Sequence, residues 1–410
     1  MKSIVFFTYQ PHLTFPTWFE VAKNLKNYNK VLIDEGDVSG HYTMTNPQML
    51  EAKKHFDQVI SIKKDPNFGA ITGIYSEYRY YLYSIKQLKK KLAGMEVSAF
   101  IFPTDLYFFF RVCKLYFPYS KRIVIQPGFK RILPADKSTL RRKAKALIAN
   151  YFLRVPLFRP HSMFGKQDTK AHYIFWTKRW CKSIPNEHPK YIYFLNGVPS
   201  RTYFLSKQIE KNNNLVINEL SQLAQINIDD HFTNLVCIVL NKRISVGQTE
   251  FEKFAHLYLD LIKAKPEWFF LIKIHPLEDA SYCTKLYSKN LDNNILVISD
   301  GFPVEHLIEI SSLVLTQWST VIMQSLLSST PTVLVNPDGR HDMTSWFVGD
   351  YPFISSDLTS LTKHCDQALK SKYGFEVIVK DFVNDSFGSD VTGGASRAAE
   401  LIQKISSSCR

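Results

Sequence analysis

Nowhere in the sequence do eighteen or more uncharged apolar residues run together, which excludes a membrane-spanning helix of ordinary length. A small-residue cleavage site is missing as well. The opening MKSIVFFTYQPHLTF has only a short apolar run and reads as a first β-strand, not as a secretory signal. Cysteine is sparse and scattered: Cys113, Cys181, Cys237, Cys283, Cys365 and Cys409 form no pair at metal-ligand spacing. That argues against a zinc site or a disulfide framework and suits a reducing cytosol. Acidic residues are almost missing from one stretch. Residues 121–190 hold seventeen Lys and Arg against Asp136, Asp168 and Glu187, a surplus of fourteen that equals the formal charge of the whole chain. The remainder sums to zero, so the charge points to a local anionic partner: lipid headgroups, a polyanionic glycan or nucleic acid. A merely solvated face is the plainer reading of the same block.

What is present is the material of a globular protein. Of 410 residues 45% are hydrophobic and 14% aromatic, enough for two cores of ordinary size. In the C-terminal half, LVCIVL (235–240) is a near-continuous apolar run, as a buried parallel strand requires. A helix follows, with Thr249 and Glu252 at capping-box spacing and Phe251, Phe254, Ala255, Tyr258, Leu261 and Ile262 on one face. Then come strand WFFLIKI (268–274), strand ILVIS (295–299), helix 304–311, strand LVLT (313–316), helix 320–329 and strand TVLVN (332–336). Such alternation with short links predicts a parallel sheet with helices on both faces. The N-terminal half repeats the theme: strands 3–8, 30–34, 99–103, 122–126 and 191–196, with helices through FEVAKNL and over 77–95. The predicted architecture is α/β, two Rossmann-like domains facing a central cleft. A first domain spans 1–205, a second 213–394, and a helix at 395–410 packs back on the first domain. A site then belongs outside the carboxyl ends of the strands.

Polar residues at those ends are the candidates. In Lys273-Ile274-His275-Pro276, Pro276 ends the strand and restricts His275 to extended geometry at the sheet edge, where an imidazole can donate to a phosphate. Lys273 shares the face of His275 by the two-residue period. A histidine satisfied within the structure would look the same. In Thr316-Gln317-Trp318-Ser319-Thr320 a strand gives way to a helix, and Ser319 is a natural N-cap whose helix start offers N–H groups to an anion; it is also read as a cap and nothing more. Asn241 stands at the same predicted edge. In the first half, Gln126-Pro127-Gly128 follows a strand, and Gly128 would let backbone approach a ligand or simply make a turn. After it, STLRRKAKALIANYFLRV sets Leu140, Ala144, Leu147, Ile148, Tyr151 and Phe152 on one side, with Arg141, Arg142 and Lys143 mostly elsewhere. That pattern suits an anionic inner leaflet, or a core helix with a solvated side.

KIHP followed by QWSTVIMQSLLSSTPTVLV (317–335) resembles the C-terminal half of GT-B fold glycosyltransferases that make bacterial capsules and lipopolysaccharide. The similarity is to the sialyltransferase, polysialyltransferase and Kdo-transferase types with CMP-sugar donors, and CDP-glycerol polymerases share the motif pair. The resemblance covers roughly residues 235–405 and the first half only loosely. It implies that His275, Ser319 and Thr320 hold the cytidylate phosphate, with Pro276 and Lys273 beside them. Many such enzymes have Glu where this chain has Gln324, the position that implies a ribose contact. Asp34-Glu35-Gly36 resembles the acidic-acidic-glycine motif of bacterial sialyltransferases, whose carboxylate deprotonates the acceptor hydroxyl, a poor nucleophile until its proton is removed. Asp105 and Asp168 are rivals for that role. The function expected is transfer of Kdo or sialic acid from a CMP-sugar to a capsule, lipopolysaccharide or O-antigen glycan. No cofactor and no metal is expected, and the place is the inner face of the cytoplasmic membrane. A CDP-glycerol or UDP-sugar transferase, or a nucleotide-sugar epimerase, are the enzyme alternatives. A basic nucleic-acid-binding protein is the non-enzyme one, but no recognition motif of that class occurs, so nucleic acid is not expected as a partner.

Overall fold

A computed structural model describes residues 1–8, 11–34, 44, 46–62, 74–105, 108–126, 170–183, 191–203, 213–241, 248–275, 278–288, 294–299, 301–317, 321–337, 350–390 and 392–408. The chain divides into two compact units, Met1–Tyr203 with Asp385–Arg410, and Phe204–Asn384.

The first unit is built on β1 (Ser3–Phe7), α1 (Pro11–Asn24), β2 (Asn29–Asp34), α2 (Asn46–His55), β3 (Gln58–Ser61), α3 (Ile74–Lys91), β4 (Val97–Phe102), α4 (Phe108–Tyr116), β5 (Lys121–Ile125), β6 (His172–Phe175) and β7 (Tyr191–Phe194). Its strands form one parallel sheet in the order β3-β2-β1-β4-β5-β6-β7. Both faces of β1 are apolar because both are covered. Ile4 and Phe6 join a core with Trp18, Phe19, Ile101 and Ile402. The next residue, Phe7, points the other way, by the period of two, and stacks on Phe102 (4.9 Å) and Phe109 (5.3 Å). Trp18 is fully buried, and its indole N–H donates to the Phe7 carbonyl at 2.9 Å. Removing such a side chain costs about 3–5 kcal/mol.

The second unit comprises α5 (Asn213–Ala224), a single turn at Ile228–His231, β8 (Asn234–Val239), α6 (Gln248–Ala264), β9 (Trp268–Lys273), α7 (Ala280–Ser288), β10 (Ile295–Ile298), α8 (Val304–Ile310), β11 (Leu313–Thr316), α9 (Val321–Leu327), β12 (Thr332–Val335), β13 (Ile354–Ser355) and α10 (Leu358–Leu369). Its sheet, also parallel, has the order β10-β9-β8-β11-β12-β13. Asp357 caps α10 reciprocally with Ser360. Helix α11 (Lys372–Phe387) carries the chain across the division, and α12 (Gly394–Ser407) lies against α1 with Ala398, Ala399, Ile402 and Ile405 in the core.

The return is locked by close backbone approach. Gly388 has φ +92°, and a Cβ there would fall 2.2 Å from the Asn196 carbonyl carbon. Arg397 donates to the Leu195 carbonyl, to Asn196 O at 3.1 Å and to the Asp390 carboxylate. In both sheets the order reverses beside the first strand, between β1 and β4 and between β8 and β11. Those are the topological switch points, where doubly wound sheets open a crevice at their carboxyl ends.

Two local expectations change. Helix α6 begins at Gln248, so Thr249 lies inside it and is no cap; Glu252 instead accepts from the Tyr282 hydroxyl at 3.4 Å. The first helix begins at Pro11, well before FEVAKNL, because proline at a first helical position loses no hydrogen bond.

Candidate functional site

In the second unit three of the expected residues, Asn241, Lys273 and His275, stand at the carboxyl edge of the sheet. Leu240 N donates to Lys273 O at 3.0 Å and Ile274 N to Ile298 O at 2.9 Å, so the ends of β8, β9 and β10 stay in step. His275 follows immediately, partly exposed at the edge, and its carbonyl accepts from Glu278 N at 2.9 Å. Lys273 is 8% exposed, and its ammonium donates to Ser299 O at 2.7 Å. A fixed positive charge therefore sits beneath the edge, between the ends of β9 and β10. Cys237 is fully buried, and its burial pushes the thiol up to about 12 although the Lys273 charge works the other way.

Across the switch point, Val239 pairs with Thr316, which sets Asn241 and Gln317 at neighbouring strand ends. The Asn241 carboxamide nitrogen is buried with no hydrogen-bond partner among the described protein groups, and the same holds for the Thr316 hydroxyl. A buried polar group left unpaired costs about 1–3 kcal/mol, so such groups mark where a ligand is rewarded. Gln317 is 1% exposed, and neither polar atom of its carboxamide has a well-formed hydrogen bond. It faces the core: burial raises the Tyr258 hydroxyl's titration, and the Gln317 amide beside it partly offsets that.

Beyond β11 the chain enters α9, whose every residue is buried. Gln324, in its middle, donates from Nε2 to Glu305 Oε1 at 3.1 Å. Glu305 starts α8 and was not singled out from the sequence, because only the fold brings α8 and α9 together. Ser319, Thr320 and Pro276 lie outside the described residues.

The first unit sets two candidate carboxylates at its own carboxyl edge. Asp34, 8% exposed at the end of β2, accepts from Ser61 Oγ at 3.4 Å. Asp105, after β4 and beside the switch point, is fully buried and accepts from the Tyr173 hydroxyl at 2.9 Å. Gln126 is fully buried at the end of β5; its carbonyl accepts from the Trp176 indole at 2.8 Å, tying β5 to β6. Glu35, Gly128, Arg141, Arg142, Lys143 and Asp168 lie outside the described residues. Among the described residues, no group of three or more His, Cys, Asp or Glu is placed to hold a metal ion. Nor is any helix there long and apolar enough to cross a membrane.

No protein-family model matches the chain, and no curated protein matches it. Solved structures do. The UDP-GlcNAc 2-epimerase of Methanocaldococcus jannaschii is 12% identical with a TM-score of 0.59, over 98% of this chain and 100% of that one. The Neisseria meningitidis UDP-GlcNAc 2-epimerase bound to UDP-GlcNAc is 13% identical at a TM-score of 0.59, again over 98% and 100%. The glycotransferase of kitacinnamycin is 13% identical at a TM-score of 0.57, over 98% of each chain. The two parallel-sheet α/β domains therefore have the fold shared by GT-B glycosyltransferases and UDP-GlcNAc 2-epimerases.

Proposed function

From a fold that houses both glycosyltransferases and nucleotide-sugar epimerases, we infer that this chain is a glycosyltransferase moving Kdo or sialic acid from a CMP-activated donor. Its acceptor is a capsule, lipopolysaccharide or O-antigen glycan held at the inner face of the cytoplasmic membrane. The observation that supports this best is the grouping of Asn241, Lys273 and His275 at adjacent strand ends around the β8/β11 switch point. That edge offers a donor nitrogen awaiting an acceptor, a fixed cation and an imidazole, the complement of a nucleotide phosphate. In the reaction the phosphate departs as an anion. His275, with the hydroxyls of Ser319 and Thr320, meets that charge, and the buried Lys273 adds a preorganised positive field that needs no reorganisation. A carboxylate removes the acceptor proton. Of the described candidates Asp34 accepts from Ser61 and Asp105 from Tyr173, and Asp34 is the less deeply buried.

A second reading has its own support. The Neisseria neighbour is an epimerase bound to UDP-GlcNAc and matches over nearly the whole chain. Calorimetric titration of CMP, CDP and UDP into wild type and His275→Ala separates the two. Binding of CMP that the variant weakens about tenfold or more, the scale of one charge-assisted hydrogen bond, is the expected result. Binding of UDP alone would move the chain to the UDP-sugar reading, and binding of none of the three would end the nucleotide-sugar reading.

A further inference from the structure

The outer side of α3 and α4 carries a surface that the nucleotide site does not use. Leu82, Lys86 and Lys89 fall at i, i+4 and i+7 on one stripe of α3, which then ends in Lys90 and Lys91. The Lys89 ammonium sits 3.9 Å from the centre of the Tyr116 ring, so the last turns of α3 and α4 lie side by side. Next to that contact Leu115 is 55% exposed and Tyr119 71%, and Leu82 is 40% exposed. Lys86, Lys89, Lys90, Lys91 and Lys114 are exposed around them. From residue 82 to 121 there are seven Lys and Arg against Glu96 and Asp105. Asp105 is buried at the carboxyl edge, whereas these helix ends lie at the amino edge, since the helices run antiparallel to their strands.

Part of this charge has a local use: lysines in a last turn complement the helix dipole. That does not account for three large apolar side chains left in water among them. Isolated exposed apolar residues are ordinary, but here they are interleaved with charge of one sign on two helices that meet at the Lys89–Tyr116 contact.

We propose that the ends of α3 and α4, centred on Leu115 and Tyr119 and ringed by Lys86, Lys89, Lys90 and Lys91, dock the first unit on an anionic lipid bilayer. Apolar tips entering the headgroup boundary, with lysines over anionic headgroups, are the chemistry of an interfacial helix surface. Duplex nucleic acid would use the lysines but offers no apolar phase to Leu82 and Leu115. These residues are a different stretch of the sequence from the basic segment 138–155, which lies outside the described residues. The proposal rests on the functional reading only for its biological sense, since lipid-linked acceptors reside at such a surface.

The test is co-sedimentation of the full chain with vesicles of phosphatidylcholine alone and of phosphatidylglycerol with phosphatidylcholine. It is run for wild type, Lys86→Gln/Lys90→Gln and Leu115→Ser/Tyr119→Ser, with circular dichroism and CMP, CDP and UDP calorimetry on each. Binding to the anionic vesicles only is expected, reduced about 25-fold in the lysine variant at roughly fivefold per lysine, with nucleotide binding unchanged. The Leu115/Tyr119 variant should lose binding as well, and that loss is the part a purely electrostatic surface does not give. Equal binding of all three proteins, equal binding to neutral vesicles, or no binding by wild type each overturns the proposal. No vesicle binding with intact nucleotide binding sinks the surface alone; vesicle binding without any nucleotide binding sinks the enzymatic reading alone.

Discussion

His172 makes the stability of the first unit depend on pH in a way that can be worked out in advance. It begins β6, is 8% exposed, stacks on Tyr191 at 4.6 Å, and places Nδ1 3.2 Å from the Tyr193 hydroxyl. Burial first, and then the charges of Lys121 and Arg122, push its pKa from the ordinary 6.5 down to about 4. A pKa lowered in the folded state means that the unfolded chain binds the proton more readily. The stability is therefore whole above the ordinary value and is lost as pH falls toward the folded one. At roughly 1.4 kcal/mol per unit, the shift amounts to about 3 kcal/mol at full protonation and about 2 kcal/mol between about pH 7.5 and pH 5. For a unit of this size that is a fall of about 4–8 °C in Tm. Many other groups titrate over the same range, so the quantity to measure is a difference. His172→Phe keeps the stack on Tyr191 and removes the titration. Scanning calorimetry of both proteins across that range should give a steeper acid decline for wild type by about 2 kcal/mol, whatever the variant's own offset. Parallel curves would refute the claim that His172 is held neutral by its surroundings.

Gly388→Ala forces a side chain into a left-handed backbone and onto the Asn196 carbonyl. A loss of about 2–5 kcal/mol, read by denaturant unfolding, is expected, with α12 the first element to lose amide-exchange protection. Gln324→Glu would set a second carboxylate beside Glu305 in place of the present amide donor. The like charge raises a folded-state pKa, so the variant should fall about 1–2 kcal/mol below wild type near pH 8 and recover as the medium is acidified, measured by thermal unfolding. Thiol labelling at about pH 8 should be slow in the native state at Cys237, where burial lifts the thiol to about 12, and at Cys181, where it lies at about 11, because only the thiolate reacts. Denaturant should release both, and fast native labelling of Cys237 would show that β8 opens locally.

The second unit is the more legible in the sequence for a physical reason. Its strands are short, uninterrupted apolar runs such as WFFLIK, buried on both faces, and they announce themselves one by one. The strands that were missed carry weaker signals. β3 (QVIS) is an edge strand, exposed or half-exposed throughout. β6 (HYIF) opens with a histidine that hydropathy marks as polar, yet every residue of it is buried, His172 against the rings of Tyr191 and Tyr193. β13 is only two residues long. None of these reaches the length at which a period can be read, and only pairing with a neighbour makes them strands.

The candidate site divides along the same line. The places of Lys273, His275 and Asn241 at a strand end were legible because Lys273 closes one apolar run and the other two follow such runs, and a doubly wound sheet brings those ends to one edge. What no spacing rule supplies is the pairing of residues from different helices. Gln324, on α9, is such a residue. Its amide donates to Glu305, which enters from the first turn of α8. An amide holding a carboxylate keeps one negative charge there, where two carboxylates would raise each other's pKa and surrender one charge to a proton. Gln324 and Glu305 therefore form one arrangement, and the effects of replacing them in a double-mutant cycle should be coupled and not additive.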